Sequence, residues 1–280
     1  MRATIYALVC IACAAAIRAH ADERPLEERL QGQCVAAHRG GFRYDDSNTL
    51  SRFETARLEG ADIVETDLRS SRDGVVFLFH DRDLRFATDC QGDFSSKLAR
   101  EIERCRLRRL GVPPERFERA LAWSRGRVVL DAELKARDVA RPAIELVRRY
   151  GAYEWVYFQV RNDPEIYRTV RAYDRRVAVE AGPLGDHAER ELRKLLALAD
   201  PRLLVVQLHP EALTPEILEQ LHAAGKRASI DAWRVRGERL WTMWLLPRHA
   251  GCEESWQRGA DIAVTNVPGD CVDQRARLRH

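Results

Sequence analysis

The 280-residue sequence lacks an apolar run long enough to cross a bilayer, which takes about 20 residues. Its main uncharged apolar run, Ile5–Ile17, is shorter and follows the positively charged Arg2. Ala19-His20-Ala21 then has the A-x-A form of a signal-peptide cleavage site. We therefore predict that residues 1–21 are a signal peptide that is removed, and that residues 22–280 form an exported domain, periplasmic or secreted.

The sequence also lacks a strong charge of either sign. Its formal net charge is +3, and removal of residues 1–21 would take away Arg2 and Arg18 and leave +1. A near-neutral balance gives no support to binding of nucleic acid or of a membrane surface. No lipobox-like run precedes Cys10 or Cys13, so we expect no stable membrane anchor, and nothing in the sequence implies a protein partner.

Residues 22–280 contain no C-x-x-C pair, which disfavours a zinc ribbon. They contain five cysteines, an odd number, so at least one thiol is free or paired between chains. Export permits disulfides to persist, and Cys90 and Cys105 flank one short segment. We predict a bond between these two and a second, Cys252 with Cys271, which leaves Cys34 free.

No low-complexity linker and no short internal repeat divides the chain, which indicates a single domain. Short apolar runs alternate with longer amphipathic ones, the pattern of parallel βαβ units. An open doubly wound sheet is the alternative, but the glycine-rich loop that usually follows its first strand is missing. The predicted helices are Thr49–Glu59, Leu98–Arg109, Arg137–Tyr150, Glu189–Leu198 and Pro215–Ala224.

Nine apolar runs are present, one more than a closed barrel of eight strands needs. The link Arg69–Gly74 is too short for a helical crossover, so Val75–Phe79 is predicted to return antiparallel over the barrel mouth. The remaining eight predict a single-domain TIM (β/α)₈ barrel, which commonly uses about 250 residues. The predicted strands are Cys34–His38, Ile63–Leu68, Val75–Phe79, Val128–Leu134, Trp155–Val160, Val177–Ala181, Leu203–Leu208, Ala228–Ala232 and Asp261–Thr265.

Carboxylates lie near the ends of two of these strands, where barrel active sites form. Glu65 and Asp67 are two residues apart and point to one side of their strand, and Asp131 and Glu133 do the same on the next. Several carboxylates facing one interior repel each other unless a cation lies between them, and oxygen ligands favour Mg²⁺ or Ca²⁺ over zinc. Ion pairs with nearby arginines are the alternative interpretation.

Two histidines complete the predicted mouth. His38 ends the first strand, and His80 ends the antiparallel return. A single histidine at such a position is more often structural, whereas a pair beside an acidic cluster suggests one general acid and one general base.

Five early segments stand in a specific order and spacing: His38-Arg39-Gly40, Asn48-Thr49-Leu50, Gly60–Leu68, Asp73–Asp81 and Glu133-Leu134-Lys135. Together they resemble the glycerophosphodiester phosphodiesterase family. The late segments Ala228–Trp233 and Gly259–Asn266 fit the same family. The resemblance covers most of Cys34–Pro268 and is weakest between Tyr150 and Gly225.

The resemblance implies a TIM barrel that hydrolyses glycerophosphodiesters to an alcohol and glycerol 3-phosphate. It further implies one divalent cation, Ca²⁺ or Mg²⁺. Its residue assignments are acid/base roles for His38 and His80, metal ligation by Glu65, Asp67 and Glu133, and substrate contacts by Arg39, Lys135 and Trp233.

Two departures from the family pattern bear on the site. Asp46-Ser47-Asn48-Thr49 stands where the family usually has Pro-Glu-Asn-Thr, so Asp45 or Asp46 would have to replace the missing glutamate. Thr265-Asn266 stands where the family often has Thr-Asp.

Two rival functions stay open. One is a sphingomyelinase D-like phospholipase acting on lysophospholipids or sphingolipids, and the other is a barrel that binds phosphodiesters without turnover. The arginine-rich segment Arg82–Pro114 favours a small anionic phosphodiester, whereas Trp233–Pro247, with Trp241, Met243 and Trp244, could supply an apolar groove instead.

Overall fold

The computed structural model describes residues 22–41, 47–235 and 251–278. Within them, nine strands form a single sheet. Each is rich in Val, Ile, Leu or Ala and is buried along most of its length, as strands covered on both faces are. The strands are β1 (Cys34–Ala37), β2 (Ile63–Ser70), β3 (Val76–Leu78), β4 (Val129–Leu134), β5 (Val156–Gln159), β6 (Ala178–Leu184), β7 (Leu203–Leu208), β8 (Arg227–Asp231) and β9 (Ile262–Thr265).

Eight of these strands close into a parallel barrel. They pair in the order β1, β2, β4, β5, β6, β7, β8 and β9, and β9 pairs with β1 to complete the ring. The ninth, β3, lies antiparallel on β2, with Leu68 opposite Leu78 and Ser70 opposite Val76. The predicted TIM (β/α)₈ barrel and its antiparallel return strand are both confirmed.

Helices connect the strands on the outside of the barrel. The predicted helix Arg137–Tyr150 begins and ends at those residues, and Gly151 closes it with a φ of 65°, a conformation that glycine adopts without strain. The helices are α1 (Leu26–Arg29), α2 (Leu50–Leu58), α3 (Ala99–Ile102), α4 (Phe117–Ser124), α5 (Arg137–Tyr150), α6 (Pro164–Tyr173), α7 (Ala188–Ala197), α8 (Pro215–Ala223), α9 (Ala232–Val235), α10 (Cys252–Gln257) and α11 (Pro268–Leu278). None of these helices is long and apolar enough to cross a membrane.

One helix prediction is wrong. Leu98–Arg109 was expected to be helical, but only Ala99–Ile102 is. The remainder runs back along the preceding loop: Thr88 forms an antiparallel bridge with Leu107, and the amide of Arg108 donates to the carbonyl of Ala87. The arginines and leucines of this segment have a high helix propensity, but its tertiary pairing with the preceding loop overrides that propensity.

The interior of the barrel changes from apolar to acidic along its axis. Ile63 and Val129 lie in an apolar cluster at the N-terminal end, which Leu26 of α1 and Leu30 directly after that helix help to close. Because side chains alternate along a strand, Glu65 and Asp67 follow Ile63 on the same side of β2, just as Asp131 and Glu133 follow Val129 on β4. The register places Glu65 opposite Asp131 and Asp67 opposite Glu133. The fold thus collects these carboxylates inside the mouth.

Both predicted disulfides are present. Cys90 is bonded to Cys105 and Cys252 to Cys271, each pair with Cα atoms 5.6 Å apart, within the usual range for a disulfide. Cys34 is the free cysteine of the described residues, and it is buried on β1. The first bond lies beside a small apolar cluster that includes Phe94 and Ile102.

Replacing Cys90 and Cys105 together by serine is expected to lower the free energy of unfolding by about 3 kcal/mol, since the bond closes a loop of 15 residues. Urea unfolding followed by circular dichroism measures the change. Non-reducing peptide mapping that finds free thiols at both positions in the parent protein would contradict the assignment.

Candidate active site

Three carboxylates converge at the C-terminal ends of β2 and β4. Each of Glu65, Asp67 and Glu133 offers an oxygen, and these oxygens all lie within 4.8 Å of one another. All three side chains are buried. A divalent cation bound at 2.3–2.6 Å from each oxygen is compatible with such a spacing. The structure therefore brings the three predicted metal ligands together.

Cationic side chains neutralise this triad. Arg39 Nε lies 3.0 Å from Asp67 Oδ2, and Lys135 Nζ lies 3.3 Å from Asp67 Oδ1 and 2.9 Å from Glu133 Oε1. Burial opposes ionisation of Asp67, but Arg39 and Lys135 outweigh it and hold its pKa below the usual range. The alternative interpretation from the sequence, ion pairs between these acids and arginines, therefore also holds for Asp67, which pairs with Arg39.

Glu65 is held differently, by the backbone. The turn His38–Gly40 gives Arg39 a φ of 53°, and the Arg39 amide then donates to Glu65 Oε2 over 2.8 Å. Gly40 makes this turn possible, because a Cβ there would lie 2.7 Å from a ring carbon of Phe53 on α2. Burial and the nearby charge of Asp67 raise the pKa of Glu65 well above its usual value.

Asn48 is a site residue whose role the sequence analysis missed. Its side-chain amide donates to Asp67 Oδ2 over 2.8 Å, while its Oδ1 accepts from the Thr66 hydroxyl and from the Asp67 amide. Asn48 has a φ of 60°, which asparagine tolerates better than most residues. It fixes the orientation of the Asp67 carboxylate. Asp45 and Asp46, considered as replacements for the family's glutamate, lie outside the described residues.

One ring nitrogen of His38 faces the triad, and the other contacts Asn266. Its Nδ1 lies 2.7 Å from Asn266 Oδ1, so Nδ1 carries the proton, and its Nε2 lies 3.9 Å from Glu65 Oε2. Desolvation, reinforced by the charge of Arg39, lowers the pKa of His38 to about 4. The ring of Trp233 lies 5.0 Å away between centroids. His38 is therefore neutral near pH 7, with the Nε2 lone pair towards the triad.

His80 has a carboxylate partner instead. Its Nδ1 lies 3.0 Å from Asp81 Oδ1, and that hydrogen bond is the main cause of a lowered pKa at Asp81. The guanidinium of Arg69 donates to the His80 carbonyl over 2.8 Å and anchors the backbone. Just over a third of the His80 side chain is exposed, so its ring is open to the mouth.

A second pair of acids lies deeper in the barrel. Asp131 and Glu180 are fully buried, and the Ser229 hydroxyl donates to Glu180 Oε1 over 2.6 Å. Desolvation raises the pKa of Asp131 well above its usual value, and that of Glu180 to about 7. Glu180 lies within a strand that reads as apolar, and its place in the site was not predicted.

Arg161 also reaches the triad and was not predicted. It follows β5, and its guanidinium lies 3.1 Å from Glu133 Oε1. It also lines a cavity of about 540 Å³ between α6 and α7.

The donor set fits a hard divalent cation. Carboxylate oxygens at the barrel mouth are the ligands that Ca²⁺ and Mg²⁺ prefer, and no sulfur or histidine nitrogen belongs to the triad. Asp67 Oδ1 is fully buried and accepts no hydrogen bond, which leaves a lone pair for a cation.

Comparisons with known proteins agree with this arrangement. A family model described as "Glycerophosphoryl diester phosphodiesterase family" matches residues 38–267. The Mycobacterium tuberculosis protein named "Probable glycerophosphodiester phosphodiesterase 2" is 29% identical over 223 residues, which cover 74% of this chain and 81% of that protein.

Solved structures share the fold. A glycerophosphodiester phosphodiesterase from Agrobacterium tumefaciens superposes with a TM-score of 0.71 at 22% identity and covers 87% of this chain and 99% of its own. An Oleispira antarctica phosphodiesterase, solved in complex with the product sn-glycerol-3-phosphate, superposes with a TM-score of 0.69 at 16% identity and covers 89% of this chain and 99% of its own. The family model covers far more than half of the sequence, and the chain therefore belongs to the glycerophosphoryl diester phosphodiesterase family and is an enzyme of that class.

Proposed function

We propose that this enzyme hydrolyses glycerophosphodiesters to an alcohol and glycerol 3-phosphate with a divalent cation, Ca²⁺ or Mg²⁺, on Glu65, Asp67 and Glu133. The observation that carries the proposal is the acidic triad beside two histidines with unlike partners. A cation held by the triad would stabilise negative charge on the phosphate oxygens.

The two histidines divide the proton transfers. His38 is neutral with its Nε2 lone pair towards the triad, so it takes the proton of the attacking hydroxyl, which is water or the substrate's own glycerol hydroxyl. His80, whose ring Asp81 orients through Nδ1, gives a proton to the oxygen of the departing alcohol. The phosphorus–oxygen bond to the nucleophile forms as the bond to the alcohol breaks. If a cyclic phosphodiester forms first, the two roles reverse when water opens it.

The remaining predicted residues position the substrate. Arg39 and Lys135 already lie against the triad, so their cationic groups face any phosphate bound there. Trp233 packs beside His38 and offers an apolar face to the carbon atoms of the glycerol or of the alcohol. We assign substrate contacts to these three residues.

We also propose that the protein is exported after cleavage behind Ala21. Residues 1–21 lie outside the described residues, but the Asp22 amide donates to the Gly126 carbonyl over 3.0 Å, so the barrel contacts begin directly after the predicted site. The two disulfides fit an oxidising compartment. N-terminal sequencing of the mature protein tests the cleavage, and a mature chain that starts at Met1 would refute it.

The structure of the segment Arg82–Pro114 favours a small substrate. Three of the larger apolar side chains of this segment, Leu84, Phe94 and Ile102, are buried in their own cluster, and the exposed ones, Phe86, Leu110 and Val112, are not part of it. An acyl chain needs a sizeable apolar groove to offset its loss of freedom on binding. Trp241, Met243 and Trp244 of the late loop lie outside the described residues. The exposed arginines of the segment are Arg82, Arg85, Arg100, Arg104, Arg106, Arg108 and Arg109.

We therefore expect kcat/KM to be at least about tenfold higher on glycerophosphocholine than on lysophosphatidylcholine, because the acylated substrate finds little apolar surface here. Kinetics on the two substrates, with matched choline headgroups, measure the ratio, and product analysis identifies glycerol 3-phosphate. A preference for the acylated substrate would favour the sphingomyelinase D-like alternative. Absence of turnover on either, with phosphodiester binding retained, would favour the non-catalytic barrel.

A further inference from the structure

Arg161 joins the active site to the outer surface of the barrel. Its backbone has a φ of 51°, a left-handed conformation that is uncommon for a residue with a side chain, and the Gly182 amide donates to its carbonyl over 3.3 Å. Its side chain is 53% exposed, yet the guanidinium reaches Glu133, whose side chain is only 8% exposed. This bent backbone aims a solvent-accessible cation at a buried carboxylate.

Two cations share one oxygen of Glu133. Lys135 Nζ lies 2.9 Å and the Arg161 guanidinium 3.1 Å from Glu133 Oε1. Glu133 belongs to the proposed metal-binding triad, so a divalent cation there and these side chains compete for the same lone pairs. Like charges around one oxygen repel each other, and the cation that leaves most easily is the one with the most access to water.

Arg161 is that cation. Lys135 is 13% exposed and also contacts Asp67, and the turn that carries Arg39 is held to Glu65 by its amide. Arg161 is half exposed and contacts no other carboxylate of the triad among the described residues. The cavity of about 540 Å³ between α6 and α7 adjoins its side chain, so the guanidinium has room to move.

We propose that Arg161 is a specificity-determining residue that exchanges Glu133 for the phosphate of the ligand when a divalent cation binds. The proposal rests on the proposed function of the triad. A guanidinium presents its N–H donors in a fork that matches phosphate oxygens. A phosphomonoester product carries more negative charge than a phosphodiester substrate, so Arg161 holds glycerol 3-phosphate more strongly than the substrate and sets the degree of product inhibition.

The Arg161→Gln variant tests both steps of the exchange, because it should change the affinity for Ca²⁺ and the affinity for glycerol 3-phosphate in opposite directions. Removal of the competing guanidinium is expected to tighten Ca²⁺ binding about tenfold, because Ca²⁺ no longer has to displace a charged hydrogen bond from Glu133. In the Ca²⁺-saturated variant, glycerol 3-phosphate is expected to bind about tenfold more weakly, since one charged contact is lost. A merely structural role would weaken both. Isothermal titration calorimetry with Ca²⁺ and then glycerol 3-phosphate measures both affinities.

Arg168→Gln is the matched control. Arg168 lines the same cavity but pairs with Glu165, so its loss leaves both affinities as in the parent. Arg161→Lys keeps a charge without the fork and should bind glycerol 3-phosphate more weakly than the parent. If Arg161→Gln binds Ca²⁺ no more tightly, or glycerol 3-phosphate no more weakly, than the parent, the exchange is refuted. A parent that binds neither Ca²⁺ nor Mg²⁺ instead refutes the proposed function of the triad.

Discussion

Replacing either His38 or His80 by alanine is expected to lower kcat on glycerophosphocholine by about 10²–10⁴-fold, the usual contribution of one general acid or base. Both side chains lie at the open end of the barrel and are partly exposed, so the fold should survive the loss of either ring. Steady-state kinetics give the effect, and thermal unfolding checks the fold. His187→Ala removes an exposed histidine on the loop before α7 and should leave kcat unchanged.

A substrate with a better leaving group distinguishes the two roles. p-Nitrophenolate departs without protonation, so a glycerophosphodiester of p-nitrophenol should restore much of the activity of His80→Ala but little of that of His38→Ala. The reason is that His38 acts on the nucleophile and His80 on the leaving oxygen. Equal rescue of both variants would contradict this division, and near-normal turnover by either variant on glycerophosphocholine would contradict its acid/base role altogether.

Much of the barrel could be predicted because each strand has its own local signal. Apolar runs such as Leu203–Leu208 are strands of the predicted length, and Arg137–Tyr150 is a helix with the predicted bounds. The short link after β2 excluded a crossover and therefore identified β3 as antiparallel. The helix predicted over Leu98–Arg109 failed because its second half pairs with Thr88, a contact that local propensity does not encode.

Some residues of the site could be predicted from local sequence signals, and others could not. Glu65, Asp67 and Glu133 could be predicted, because alternation along β2 and β4 fixes the side on which each carboxylate lies. The contact of Arg161, just after β5, with Glu133 on β4 joins residues 28 apart and depends on a left-handed backbone that nothing in the sequence requires. Glu180 was missed because a single acid in an apolar run is usually solvent-facing, and only the closed barrel shows that this one is buried inside it.

The charges around the triad explain why the metal should be indispensable. Arg39, Lys135 and Arg161 pair with Asp67 or Glu133, and the Arg39 amide donates to Glu65, so the protein's own contacts hold all three carboxylates in one place. A phosphodiester would then meet carboxylates whose cationic partners are already engaged. An additional divalent charge on the triad would allow an anionic substrate to bind beside three acids.

Chelation is therefore expected to abolish turnover, and added Ca²⁺ or Mg²⁺ to restore it. Glu65→Gln, Asp67→Asn and Glu133→Gln should each weaken metal binding by at least about 10–100-fold, since even outer partners of metal ligands have effects of that size. Asp67→Asn should be the most severe, because Arg39 and Lys135 then lose their shared counter-charge. Asp131→Asn is the matched control: Asp131 lies on the same side of β4 but contributes no oxygen to the triad, so the variant should bind metal as the parent does. Calorimetric titration with each ion measures these affinities, and turnover that survives exhaustive dialysis against chelator, with no metal detected by elemental analysis, would exclude a metal-dependent mechanism.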